Sequence, residues 1–262
     1  MPSYSPAMEG IGLRAGEGEP LFDGRIVVKS GLEQLSVTEA KSAGPRQGAG
    51  PHLHRWHADS FYVLEGEMAF LVHDREHVLG AGGFICAPPG VVHAFRTTSA
   101  ARYLNFHTPD GGFTDYLRAR DRDEPGDFDS IAAEPGSGLP PTDAVLFQTG
   151  QGERFESDTR IATIKVGRDE ICVIELELEP TYEDPPPHTH DDHVDSFYVV
   201  EGEAEFQMGE ETLLLGAGSF VAAPPDVVHA FSSSPGRSRL LNIHAPSAGF
   251  HEWMREINRP RS

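Results

Sequence analysis

The sequence is poor in basic residues. Its 262 residues include 21 Lys and Arg against 41 Asp and Glu, a formal net charge of −20, and protonating all 13 histidines would raise it only to −7. This balance argues against nucleic acid as a partner, because binding it requires clustered Lys and Arg that replace phosphate counterions. Binding to an anionic membrane surface is disfavoured for the same reason.

The sequence also lacks cysteine clusters and long apolar runs. Cys86 and Cys172 are its only cysteines, which leaves neither a disulfide framework nor a cysteine-rich zinc site. No apolar run follows a basic start, and no window of about 18 apolar residues occurs. We therefore expect a cytoplasmic protein without a leader or membrane span. Its 28 Gly and 21 Pro, spread among short apolar runs, favour short strands joined by turns.

One unit occurs twice in the chain. Residues 51–67, PHLHRWHADSFYVLEGE, recur as PHTHDDHVDSFYVVEGE at 187–203, an offset of 136. The same offset relates GGFICAPPGVVHAF to GSFVAAPPDVVHAF, and it becomes 137 after one insertion. We call residues at equivalent positions twins. A repeat of this length indicates two similar domains.

The segment between the copies predicts the domain boundary. Residues 118–143 are rich in charge, Pro and Gly and poor in apolar periodicity, which is typical of a linker. We place the boundary near Ser137. The predicted domains are therefore an N-terminal one over residues 1–136, linker included, and a C-terminal one over 137–262.

Each unit is predicted to be mostly β. FYVLEGEMAFLV and its twin segment carry β-branched and aromatic residues on both sides of a turn at Gly66 or Gly202, which indicates two antiparallel strands. FICAPPGVVHAF indicates a strand, a Pro-Pro turn and a second strand. Apolar residues three or four apart predict a short helix that closes each unit, over 112–120 and 249–258.

Ten histidines form five twin pairs, and three of these pairs have the spacing of metal ligands. His52 and His54 are two residues apart and therefore share one face of a strand. Asp59 begins the next strand, and His93 follows the Pro-Pro turn. We expect these side chains to converge on one interior point, as do their twins His188, His190, Asp195 and His229. The alternative is that they are structural histidines, hydrogen-bonded inside the fold.

Imidazole and carboxylate ligands suit a divalent first-row ion. Fe, Mn, Ni, Cu and Zn all accept this donor set. We therefore predict a metal cofactor of this kind, up to one per domain, with a coordination position open to water or substrate.

The two blocks resemble the two signature motifs of the cupin superfamily. The first is His-x-His, four residues, an acidic residue, six residues and Gly, matched by His52, His54, Asp59 and Gly66 and by their twins. The second is Gly, five residues, Pro-x-Gly, two residues and His. It is matched by Gly82, Pro88, Gly90 and His93, and again by Gly218, Pro224 and His229. The resemblance implies an all-β bicupin of the quercetinase and pirin type, with two tandem antiparallel jelly-roll barrels and one metal in each.

The chain departs from this pattern at two places. Asp59 and Asp195 stand where the family usually has Glu. Because Asp is one methylene shorter, it reaches the metal directly only if its strand moves inward, and otherwise binds a metal-bound water or orients a ligand imidazole. Asp226 stands where Gly is usual, at a turn that requires positive φ.

Other twin residues have several predicted roles. His57 and His193 are candidate fourth ligands or general bases, or else loop histidines at the barrel mouth. Together with Asp59 and Asp195 they are the candidate catalytic proton carriers. We expect structural roles for His107 and His244, which follow Asn105 and Asn242. Phe61, Phe95, Phe197 and Phe231 form either an apolar wall beside the ligands or ordinary core.

The resemblance implies a metal-dependent enzyme that acts on a small organic molecule, most closely a dioxygenase-like oxidoreductase. Metal-dependent isomerases and oxidative decarboxylases are built on similar ligands. A non-catalytic cupin that binds a small metabolite is the alternative from a different class. Edge strands of cupin barrels often pair between subunits, so a homodimer fits the resemblance, although the two halves of one chain also satisfy such pairing.

Overall fold

The computed structural model describes residues 9–182 and 186–259. Over the first half of the chain the strands are Ile11–Leu13 (β1), Glu19–Leu21 (β2), Ile26–Leu32 (β3), Leu35–Ser42 (β4), Arg46–Gln47 (β5), His52–Leu53 (β6), Ala58–Glu65 (β7), Glu67–Val72 (β8), Arg75–Gly80 (β9), Phe84–Ala87 (β10), His93–Thr97 (β11), Ala101–Thr108 (β12) and Ile131–Ala132 (β13). They continue with Val145–Phe147 (β14), Glu153–Glu156 (β15), Arg160–Gly167 (β16), Cys172–Leu178 (β17), Val194–Glu201 (β18), Glu203–Met208 (β19), Glu211–Gly216 (β20), Phe220–Ala223 (β21), His229–Ser233 (β22) and Ser238–Ala245 (β23). The helices are Phe113–Asp121 (α1) and Phe250–Ile257 (α2), with one 3₁₀ turn at Pro141–Asp143.

The chain forms two compact units. We call residues 18–153 the N-terminal barrel, and residues 154–259 with the described residues up to Glu17 the C-terminal barrel. This division differs from the repeat-based ranges 1–136 and 137–262 because edge strands extend beyond the repeats. β1 pairs with β21 of the C-terminal barrel, and β14 pairs with β10 of the N-terminal barrel.

Each barrel is built from two antiparallel sheets. In the N-terminal barrel these have the orders β14-β10-β7-β12-β4-β3-β2 and β13-β6-β11-β8-β9, and β5 also pairs with β11. In the C-terminal barrel the orders are β1-β21-β18-β23-β17-β16-β15 and β20-β19-β22. The predicted all-β fold of two jelly-roll barrels, each followed by a short helix, is confirmed.

The interior of each barrel is aromatic. Phe61 of β7 packs with Phe70 of β8 and Phe95 of β11, so this core joins the two sheets of the N-terminal barrel. Phe197 makes the same contact with Phe231 in the C-terminal barrel, at 4.6 Å between ring centroids. Strand alternation explains this core, because every second residue of β7 and β11 points inward.

The turn at Gly66 differs from the predicted hairpin. β7 pairs with β10 and β12, whereas β8 pairs with β9 and β11, so the two strands lie in different sheets. Gly66 has φ of 75°, and a Cβ there would collide with the carbonyl oxygen of Ala100. Glycine is required at this sheet-to-sheet corner for both reasons.

The helices lie where the apolar spacing predicts them, to within one residue at either end. Each follows a glycine in the left-handed region, Gly112 with φ of 87° and Gly249 with φ of 78°. Within the described residues, neither α1 nor α2 is long and apolar enough to cross a bilayer.

Candidate metal centre

The structure brings together the four predicted ligands of the N-terminal barrel. His93 on β11 is in register with His52 on β6, and Asp59 lies on β7 of the facing sheet. One donor atom from each of His52, His54, Asp59 and His93 lies within 4.8 Å of the others, and all four residues are buried. The arrangement therefore joins both sheets at one interior point.

The C-terminal barrel repeats this cluster. Donor atoms of His188, His190, Asp195 and His229 also lie within 4.8 Å of one another. His188 and His190 are half-buried here, whereas their twins are buried. The two clusters therefore share their donors and differ in exposure.

Backbone carbonyls set the orientation of the imidazoles. Nδ1 of His52 lies 2.7 Å from the carbonyl oxygen of Gly50, Nδ1 of His93 lies 3.0 Å from that of Val91, and Nδ1 of His54 lies 2.5 Å from that of Asp129. Because a carbonyl only accepts, each Nδ1 carries the proton and donates it. Each Nε2 therefore presents a lone pair to the interior, as a metal ligand requires.

Two buried ring nitrogens without a hydrogen-bond partner support the interpretation of the Nε2 atoms as metal ligands. Nε2 of His54 and Nε2 of His190 are buried without a hydrogen-bond partner. In the C-terminal barrel, Nδ1 of His188 and of His229 again face carbonyl oxygens, at 3.1 and 2.9 Å. A buried acceptor without a donor is costly unless a cation binds it, so the clusters fit a divalent metal.

The aspartates reach the imidazoles despite their shorter side chain. Oδ2 of Asp59 lies 3.1 Å from Nε2 of His93 and 3.6 Å from Nε2 of His54. The corresponding distances from Asp195 to His229 and His190 are 3.2 and 3.9 Å. Two ligand atoms that are each about 2.1 Å from one ion lie about 3.0 to 3.4 Å apart in octahedral or tetrahedral sites. The separations to His93 and His229 match those of ligands on one ion, whereas those to His54 and His190 are longer. Direct ligation by the carboxylates stays a prediction.

An asparagine holds each aspartate in place. Nδ2 of Asn105 donates to Oδ1 of Asp59 at 2.5 Å, and Nδ2 of Asn242 donates to Oδ1 of Asp195 at 2.6 Å. The Asn carbonyl in turn accepts a hydrogen bond from Nε2 of His107 or His244, at 3.3 and 3.1 Å. Sequence reasoning did not connect these residues to the site. The twin Asn-x-His pattern on β12 and β23, with both side chains on one face, is the signal that could have done so.

The carboxylates remain ionised in this setting. Burial acts to raise the pKa of Asp59, but the surrounding imidazoles of His107, His54 and His93 outweigh it and hold the pKa well below its usual value. For Asp195 the same balance of burial against His244 and His229 lowers the pKa to about 2. Each site therefore offers one formal negative charge to a cation at neutral pH.

His57 and His193 lie in a neighbouring cluster. His57 groups with His54 and His107, and His193 groups with His190 and His244. His57 is fully buried, and neither of its ring nitrogens has a hydrogen-bond partner. Burial, followed by the effect of His54, lowers its pKa to about 4. The predicted catalytic roles of His57 and His193 stay predictions, but both rings lie beside the ligand clusters.

The linker covers the N-terminal site. Phe128 lies 5.2 Å from His54 and 5.1 Å from His57 between ring centroids, and the adjacent Asp129 carbonyl accepts from His54. The His54 side chain is 1 % exposed, whereas its twin His190 is 21 % exposed. Beside His190 lies a cavity of about 470 Å³ lined by Phe250 and Trp253 together with the histidines of the site. Among the described residues, the C-terminal ligand cluster is therefore more exposed than its N-terminal counterpart.

The structure places the phenylalanines of the predicted wall both in the core and beside the ligands, the two alternatives that the sequence left open. Phe95 lines the cavity that contains the N-terminal ligands, and Phe61 packs 4.7 Å behind it. In the C-terminal barrel both Phe197 and Phe231 line the corresponding cavity. These side chains thus serve as core and as cavity wall together.

Comparisons with known proteins agree with this architecture. The chain is 33% identical over 92 residues to quercetin 2,3-dioxygenase of Bacillus subtilis (strain 168), a match that covers 33% of this chain and 27% of that relative. The aligned region thus spans about a quarter of the relative's length.

Solved structures share the fold. The protein Ylba of E. coli has a TM-score of 0.61 at 12% identity, with 84% of this chain and 83% of that one covered. The putative glyoxylate-induced protein of Pseudomonas aeruginosa has a TM-score of 0.61 at 20% identity, with 83% and 79% covered. A single-residue variant of oxalate decarboxylase from Bacillus subtilis has a TM-score of 0.57 at 15% identity, with 81% and 69% covered.

The family assignment rests on both halves of the chain. The family model described as "Cupin domain" matches residues 42–107 and 174–244. These two regions together make up more than half of the sequence and contain all eight predicted ligands. With two jelly-roll barrels and a ligand cluster in each, the chain belongs to the cupin family and is a bicupin.

Proposed function

We propose that the protein is a metal-dependent oxidoreductase of the dioxygenase type that acts on a small organic molecule in the C-terminal barrel. The observation that carries this proposal is the ligand cluster, three imidazoles with their Nε2 atoms turned toward one carboxylate. The similarity to quercetin 2,3-dioxygenase supports the reaction class. Cys86 and Cys172 are both buried thiols, which supports a reducing, cytoplasmic setting.

His188, His190, Asp195 and His229 would hold the metal in this barrel. A bound Fe, Mn, Ni, Cu or Zn ion would polarise a substrate oxygen, and a redox-active one would also support reaction with O₂. An ion that takes five or six ligands would keep positions for water or substrate beside these four residues, and the cavity beside His190 would give a small molecule access to them.

The surrounding side chains bind the substrate and exclude water. Phe197, Phe231 and Trp253 line the cavity that contains the ligands, so a substrate there would lie against aromatic rings. An apolar wall of this kind strengthens the electrostatic effect of the ion and its ligands on the bound molecule.

His193 is the best-placed proton carrier in this barrel. Its Nδ1 lies 2.7 Å from Oδ1 of Asp192, whose side chain is 64 % exposed, and its Nε2 lies 3.0 Å from Nδ1 of His244. A proton on His193 is thus linked at one end to a solvent-exposed carboxylate and at the other to the His244–Asn242–Asp195 chain. The twin of Asp192 is Trp56, so the N-terminal barrel lacks this link.

Metal content and O₂ consumption test the proposal. Protein loaded separately with Fe(II), Mn(II), Ni(II), Cu(II) or Zn(II) is analysed for bound metal and assayed for O₂ uptake with flavonols, catechols and β-diketones. We expect uptake with a redox-active ion, its loss in His190→Ala, and its retention in His54→Ala. Absence of bound metal would contradict the ligand assignment. Metal without O₂ uptake on any substrate would refute the dioxygenase class, and loss of uptake only in His54→Ala would place the reaction in the other barrel.

A further inference from the structure

A cationic cavity opens in the N-terminal barrel, outside its ligand cluster. The cavity has a volume of about 330 Å³ and is lined by Arg25, Lys41, Arg46 and Arg120, with no Asp or Glu among its described lining residues. None of these four side chains forms an ion pair within the described part of the chain. Four cationic side chains around one cavity, three of them exposed, are unexpected in a chain of net charge −20. Together they produce a positive potential that attracts anions.

The charge is specific to this barrel. The twin positions, read at the offsets of 136 and 137, carry Ile161, Glu177, Tyr182 and Ile257. The strand registers support the equivalence, because Lys41 pairs with Arg102 as Glu177 pairs with Arg239. The four cations therefore do not serve a structural purpose that both barrels share.

The cationic cavity adjoins the metal-ligand cavity. Both are lined by Phe95, Tyr103 and Tyr116. Along β11, His93, Phe95 and Thr97 lie on one face, with His93 in the ligand cluster and Thr97 in the lining of the cationic cavity. Four residues of strand extend about 13 Å. A molecule that spans both cavities is therefore elongated, with its charge at the end distant from His93.

We propose that the N-terminal barrel binds a small carboxylate whose anionic group lies among Arg25, Lys41, Arg46 and Arg120. Its apolar body extends past Phe95 and Tyr103 toward His93. Guanidinium groups recognise carboxylates through paired hydrogen bonds, which explains three arginines at this position. Burial raises the pKa of Tyr103 to about 12, partly offset by Arg46 and Arg25, so its phenol stays protonated and can donate to the ligand. This site does not depend on the oxidoreductase function.

Calorimetry with a matched pair of ligands tests the site. The full-length protein as purified is titrated under argon, where no O₂-dependent reaction proceeds, with 4-phenylbutyrate and with the neutral 4-phenylbutyramide of the same shape. We expect the carboxylate to bind at least about tenfold more tightly than the amide, and its affinity to fall with salt. The double substitution Lys41→Gln/Arg46→Gln should remove this preference.

A charge-matched control separates the site from bulk charge. Arg14 and Arg75 are exposed, lie outside the cavity and are replaced together by Gln, which changes the net charge equally. The proposal predicts unchanged affinity in this control. Equal affinity for acid and amide, an equal loss in both double variants, or no binding of the acid at millimolar concentration would overturn it. Because these readouts do not require turnover, they are separate from a failure of the oxidoreductase proposal.

Discussion

Asp129 fastens the linker segment that covers the N-terminal site. Its Oδ2 accepts hydrogen bonds from the backbone N–H groups of Arg55 and Trp56, at 2.6 and 3.1 Å, and its Oδ1 accepts from Nε of Arg55 at 2.7 Å. The Arg55 contacts lower the pKa of this carboxyl against the effect of burial, so it is ionised at neutral pH. Asp129→Ala removes these three bonds and leaves the backbone carbonyl that accepts from His54. We expect the segment to open more often and metal to leave the N-terminal site faster.

The structure sets the size of this effect. The Arg55 side chain is 55 % exposed, so its ion pair contributes at most about 1 kcal/mol. Each backbone hydrogen bond to the carboxylate contributes about 1 kcal/mol in a partly solvated position. The sum of about 2 to 3 kcal/mol corresponds to an increase of about 30- to 150-fold in the open fraction of the segment.

Chelator-driven metal release measures this fraction. His190→Ala empties the C-terminal site, so release from that variant reports the N-terminal site alone, and His54→Ala provides the opposite background. Asp129→Ala should accelerate metal release by about 30-fold or more in the His190→Ala background. It should leave the release rate in the His54→Ala background unchanged. Asp127→Ala, an exposed change in the same segment, is the control. An unchanged rate in the first background, or equal acceleration at both sites, would show that the segment does not gate this site.

Two further predictions concern the histidines in and beside the ligand clusters. His52→Ala should halve the metal bound per chain, measured by elemental analysis, because each barrel supplies its own donors; loss of both ions would contradict this independence. Metal-free protein should lose stability as the pH falls from about 6.5 toward 4. Burial lowers the pKa of His52, His57 and His190 to about 4 and of His244 to about 3, so the unfolded chain binds more protons in this window. Each such group costs up to about 1.4 kcal/mol per pH unit. Thermal unfolding of chelator-treated protein at pH 7.5 and 5 checks the sign, and a higher melting temperature at pH 5 would refute it.

The duplicated ligands could be predicted because their positions follow from local sequence patterns. His52 and His54 share a face by strand parity, and comparison with His188 and His190 separates required residues from those that drifted. The same internal comparison anticipated the turn at Asp226, whose φ of 68° matches the 83° of its twin Gly90. Sheet membership was harder to predict, since the residues around Gly66 fit a hairpin and a sheet-to-sheet corner equally well.

Features unique to one copy could not be predicted in this way. Phe128 and Asp129 lie in the segment between the two copies, and their contacts with His54 span more than seventy residues of chain. Arg25, Lys41, Arg46 and Arg120 lie on separate elements, so their clustering is visible only in three dimensions. Phe128 lines the cavity that contains the ligands and the four cations line the cavity beside it, while the ligand clusters of the two barrels remain alike. Two barrels that admit different molecules would require such differences in the cavity linings around an unchanged ligand set.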